Sequence, residues 1–158
     1  MKKDNFELLK FKVLKRGVEV VYKELHGDSS PRHSIDDEKY PHPDLIDIIT
    51  KFKEPMADVF GFPLDDVENK IHPTGISLHG SGNKKSFILT AKLETDFGTV
   101  AINTPRIPYL SEEYPWIEET TKDKGYIDQL KKEIYEYFEK GKCSQLPIPF
   151  KDENKEEE

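Results

Sequence analysis

Residues 75–87, GISLHGSGNKKSF, place Gly75 and Gly80 in a Gly-x-x-x-x-Gly spacing, followed by Gly82, Lys84 and Lys85. A phosphate cradle needs that spacing followed at once by Lys and Ser/Thr, between a strand and a helix, so that backbone N–H groups face the phosphates. Here Ser81 and Gly82 stand where the lysine and hydroxyl belong. The residues after Lys85 alternate like a strand, so no helix N-terminus is available. The stretch is expected to be a loop between two strands, with Lys84 and Lys85 as point charges at its tip.

Three other groups could do chemistry. His26, His33 and His42 lie near Asp28, Asp36, Asp37 and Asp44, an oxygen and nitrogen ligand set of no zinc spacing. A metal-dependent hydrolase is the minor reading they support, and neither metal nor cofactor is assigned. Ser77 and His79 would share one face of a strand, and Cys143 stands alone near the end of a helix. Neither arrangement makes a triad, and no catalytic residue is assigned. Paired carboxylates (Asp36-Asp37, Asp65-Asp66, Glu112-Glu113, Glu118-Glu119) fit the solvated surface of an acidic chain.

The most suggestive pattern is basic and aromatic residues interleaved on strands. Lys10, Lys12, Lys15, Arg16 and Tyr22 belong to a first hairpin, and Lys84, Lys85 and Lys92 to a second. Lysines beside stacking rings hold single-stranded nucleic acid without reading its sequence. The competing and weightier reading of the strands alone puts Phe11 and Phe87 in the core and leaves the lysines to solubilise the other face.

The elements that would position these residues follow from periodicity. Residues 6–25 alternate as a hairpin, with Leu9, Phe11 and Val13 on one face and Gly17 in the turn. Residues 26–43 show no period and read as a long loop. Leu45, Ile48, Ile49, Phe52, Met56 and Phe60 form a helical stripe that Pro55 should kink or split, with Gly61 as its stop. Strands follow over residues 71–105, with Asp96-Phe97-Gly98 as a glycine-bulge turn. Ile127, Leu130, Ile134 and Phe138 mark a second helix ending near Gly141. The expected order is β-β-α-β-β-β-α, an α+β domain over residues 1–145 with a mainly antiparallel five-stranded sheet and two helices.

The bulk properties set limits. The chain has 158 residues and a net charge of -7, with 35% charged and 11% aromatic residues. Residues 1–25 hold seven Lys/Arg against four acids, a local charge of +3, so the rest carries -10. Any affinity for a polyanion must therefore come from a local basic face. No run of about 18 apolar residues exists to cross a membrane, and no signal peptide is evident. The lone cysteine suits a reducing cytoplasm.

Residues 146–158 read as an acidic, disordered tail. Its Ile148, Pro149 and Phe150 resemble the partner-docking tripeptide of bacterial single-stranded-DNA-binding proteins. In that family the acids precede the tripeptide and Phe is terminal, whereas here the acids follow. The resemblance implies a protein partner for the tail. PHPDLIDIITKF and TVAINTPRIP are similar to stretches of small phage and prophage proteins, which implies a setting and no activity. The combined expectation is a non-enzymatic binding protein of phage type, acting on single-stranded nucleic acid or on a partner that processes it. The alternative is a protein–protein module, an inhibitor or assembly factor, with an acidic surface and a large apolar patch or a stable oligomer.

Overall fold

A computed structural model describes residue 1 and residues 5–25 and 30–145. Strands β1 (Phe6–Val13) and β2 (Val18–Glu24) form the first hairpin, and β3 (Arg32–Asp37) pairs with β2. A two-residue strand β4 (Tyr40–Pro41) precedes helices α1 (Pro43–Thr50), α2 (Lys53–Phe60) and the single turn α3 (Leu64–Val67). Then come β5 (Ile71–His79), β6 (Ser86–Thr95), β7 (Gly98–Asn103) and β8 (Ile107–Pro108). Helices α4 (Ile117–Thr121) and α5 (Tyr126–Lys140) lead to β9 (Cys143–Ser144).

The fold is α+β. The main sheet runs β3-β2-β1-β5-β6-β7, with β8 pairing to β6 beyond the end of β7, and every pairing is antiparallel. A second, two-stranded sheet joins β4 to β9. Phe11, Val20, Ile76 and Leu89 line up across four neighbouring strands and are buried. They pack with Leu45, Ile49, Phe52, Leu130, Ile134 and Tyr137 from α1, the α1–α2 junction and α5 in one apolar cluster. Helices thus cover one face of the sheet, and the other carries polar side chains. No helix among the described residues is long and apolar enough to cross a membrane.

The layout is richer than the expected five strands and two helices. β3 occupies residues expected to be loop. Its sequence, RHSIDD, holds one aliphatic residue, Ile35, because an edge strand can pair through its backbone while keeping charged side chains. The 43–60 helix splits as Pro55 required. Lys51 and Phe52 tighten to i–3 hydrogen bonds of 3.1 and 3.2 Å. Pro55 then falls in the first turn of α2, where its missing N–H has no helical acceptor to lose. Leu9 is off the buried row. A bulge between Leu8 and Lys10 shifts the phase, so the inner residues are Phe6, Leu8, Phe11 and Val13. Between β6 and β7 the pairing reaches Thr95 and Gly98, which leaves Asp96 and Phe97 as the turn. Gly61 and Gly141 end α2 and α5 in the left-handed conformation, as their positions suggested.

Candidate nucleic-acid interface

The helix-free face is built by alternation. When Phe11 points to the core, Lys10 and Lys12 point away. In the register of the sheet Lys10 lies opposite Ser77, and Lys12 opposite Gly75. Gly75 lies opposite Thr90, and Thr90 opposite Asn103, while Lys92 lies opposite Ala101. The lysines, with Ser77, Thr90 and Asn103, line a shallow depression of about 280 Å³. Gly75 is required where β5 passes between Lys12 and Thr90. A Cβ there would stand 2.5 Å from the Phe11 carbonyl oxygen and 2.9 Å from Thr90 Oγ1. Three lysines from β1 and β6 therefore surround a floor of small and hydroxylated residues.

The charge on this face is graded. Lys10 Nζ lies 3.6 Å from Glu19 Oε1 on β2, and Asp36 on β3 is directly across from Glu19. Lys10, Lys12 and Lys92 sit over β1 and β6 and Glu19 and Asp36 toward the β3 edge, while Glu94, in the same strand phase as Lys92, lies 2.6 Å from His72 Nε2. Phosphate oxygens are favoured on the β1–β6 side and repelled from the other.

The remaining basic residues of the sequence reading are distributed differently. Lys15 and Arg16 occupy the β1–β2 turn, beyond Val13. Lys84 and Lys85 occupy the β5–β6 turn, beyond His79. Because β1 and β5 are antiparallel, these turns project from opposite ends of the sheet, roughly 25 Å apart at ~3.3 Å per strand residue. Lys85 Nζ also lies 5.9 Å from the centre of the Tyr109 ring. Burial pushes the Tyr109 hydroxyl up to about 12, with Asp128 and Glu7 adding to the shift.

Tyr22 is 5% exposed. It stacks on His33 at 5.1 Å and meets the Phe6 edge at 5.9 Å. Its ring has no free face for a base. Phe11 and Phe87 are fully buried, as the solubilising reading of the strands held. Among the described residues, the lysine face offers charge and hydrogen bonds without a stacking platform. Ile148, Pro149 and Phe150 lie outside the described residues.

The other candidate chemistries separate. Residues 82–84 form one 3-10 turn, with Gly80 and Gly82 at positive φ, and β6 follows directly. The glycines let the chain reverse and face no helix N-terminus. His33 belongs to β3. His42 caps α1, accepting at Nδ1 from the Asp44 N–H at 3.1 Å. Among the described residues no group of three His, Cys, Asp or Glu is placed to hold a metal ion. Ser77 Oγ and His79 Nε2 do meet, at 3.0 Å, as their shared strand face implied. Among the described residues, no hydrogen-bonded carboxylate orients the imidazole, so the pair lacks the third member that activates a serine.

Gly75, Ser77, Thr90 and Asn103 were not singled out from the sequence as members of this face. Their only signal is strand phase carried across four strands, which becomes readable once the strand order is known. No protein-family model, curated protein or solved structure matches the chain. The face itself must carry the functional reading.

Proposed function

We propose that the protein is a non-enzymatic binder of single-stranded nucleic acid, acting on the strand or beside a partner that processes it. A phage or prophage setting comes from the sequence resemblance alone. The observation that carries the proposal is the gathering of Lys10, Lys12 and Lys92 around the shallow depression on the helix-free face. Ammonium groups would contact successive phosphates, while Ser77, Thr90 and Asn103 supply hydrogen bonds to phosphate or sugar. With no exposed ring on this face among the described residues, the binding is tolerant of sequence and strongly dependent on salt.

The test is fluorescence anisotropy of a labelled oligothymidylate over a salt series. Three phosphate contacts correspond to a slope of log K against log salt of about -2, at roughly 0.7 per contact on a single strand. Lys10→Ala, Lys12→Ala and Lys92→Ala should each reduce that slope by about 0.7 and leave the fold intact. Absence of binding at about 25 mM salt would overturn the proposal.

A protein–protein module is the second reading, favoured by apolar exposure. Phe97 is fully exposed, Leu110 is 69% exposed and Val100 is 45% exposed. In that case binding to a partner would survive the three lysine substitutions.

A further inference from the structure

β7 is an edge strand with the composition of a central one. Residues 97–105, FGTVAINTP, contain no charge in a chain that is 35% charged. The other edges are protected. β3 carries Arg32, Asp36 and Asp37, and β8 contains Pro108. Charge and proline are the ordinary devices that stop an open edge from recruiting another strand. β7 has neither, and among the described residues no strand pairs with its outer side.

The direction of its free groups follows from one contact. Thr104 N–H donates to the Leu89 oxygen at 2.9 Å, so Thr104 turns its backbone toward β6. In an antiparallel ladder that role alternates, so Ile102 and Val100 also face β6. The backbone N–H and C=O groups of Thr99, Ala101 and Asn103 then point away from the sheet. These three residues are symmetric about Ala101.

We propose that two copies of this chain pair edge to edge through β7, antiparallel, about a two-fold axis at Ala101. In this register Ala101 meets Ala101 of the second copy, and Thr99 meets Asn103. All three outward-facing residues find hydrogen-bonding mates. Val100 falls opposite Ile102 on the helix side, so two partly exposed aliphatic groups cover each other. Phe97, fully exposed in one chain, comes opposite Pro105 of the other. No like charges meet anywhere in the paired segment. A shift by one residue would set inner side chains against outer ones, so the face pattern also disfavours that slip. The pairing does not depend on the nucleic-acid proposal. It would place both lysine faces on the same side of one continuous sheet.

Sedimentation equilibrium of the full chain, from about micromolar to hundred-micromolar concentration, tests the pairing. A reversible monomer–dimer equilibrium is expected. Ala101→Pro removes only an outward N–H, so the β6–β7 ladder should persist while the dimer dissociation constant rises tenfold or more. A monomer at every concentration overturns the proposal, and so does a dimer indifferent to a folded Ala101→Pro. Should that variant fail to fold, Ala101→Cys in a Cys143→Ser background gives an independent measurement. Hydrogen-bonded antiparallel partners have Cα atoms about 5.5 Å apart. Their Cβ atoms stand too far apart for an unstrained disulfide, and a short bis-maleimide spans the gap and should link two chains at residue 101. Failure to cross-link overturns the pairing whether or not oligonucleotide binds.

Discussion

Lys142 shows most clearly what one residue does in this molecule. Its Nζ lies 2.8 Å from Asp44, 2.9 Å from Glu133 and 3.2 Å from Glu136, and its side chain is 27% exposed. Hydrogen bonds that it donates to Asp44 and then Glu133 hold the ammonium above its usual range. The hydrogen bond donated by Lys142 likewise holds Asp44 and Glu136 below theirs. A depressed carboxylate stabilises the fold above its ordinary pKa, and that contribution is lost as pH falls through the depressed value. The raised lysine contributes below its ordinary pKa and loses that contribution as pH climbs through the raised value. The cluster is therefore at full strength near neutrality. Lys142→Met should lower Tm by about 2–4 °C at pH 7, a modest effect because the pairs are partly solvated. The gap from the unmodified protein should close in acid, as followed by thermal melts across pH. None of this was legible in the sequence, because Asp44 comes from α1 and the other partners from α5. The surface placement of Lys10 and Lys12 was legible, since alternation alone sets it. The side on which Tyr22 lies was legible in the same way, since it alternates with Val18 and Val20, and Phe6 and His33 on neighbouring strands close around its ring.

At the scale of elements, the edge of β6 is shared by β7 and β8, and Thr104 joins them. It is 4% exposed. Its hydroxyl accepts from the Leu89 N–H at 3.0 Å, replacing a ladder bond where the chain bends. Thr104→Val keeps the shape and removes the acceptor, leaving a buried N–H without a partner. The expected cost is about 1–3 kcal/mol, measurable by urea denaturation, with faster exchange of the Leu89 amide. A cost near zero would mean that water reaches this N–H. Elements with strong periods were readable in advance. The β1–β2 hairpin, the β5–β6 pair and α5 all follow from apolar spacing. β3 escaped because edge pairing is a backbone property and needs little apolar side chain. The bulge that displaces Leu9 escaped because an extra residue in a strand has no composition of its own.

At the scale of the whole molecule, a chain of net charge -7 carries its cations locally, and the last eight residues add a net -3. An anionic segment of the same chain competes with other anions for a basic face. Deleting residues 146–158 should therefore raise affinity for the oligonucleotide, by about 2- to 10-fold at low salt. The gain should vanish at high salt, which separates competition from a change in fold. Equal affinity at low salt would remove the tail from this role. Strand order was not legible at this scale. β1 and β5 are adjacent although three helices and three strands separate them in the chain, and no local pattern encodes that pairing.

The small β4–β9 sheet has a consequence for how the chain is made. Tyr40 pairs with Ser144, and the Tyr137 hydroxyl donates to the Lys39 carbonyl across 98 positions. Closing a loop of that length costs entropy that early local contacts do not recover, which slows folding. The segment before α1 waits for nearly the last described residue. A chain still being synthesised would hold a formed first hairpin beside an open clasp. It would lock only after β9 has left the ribosome.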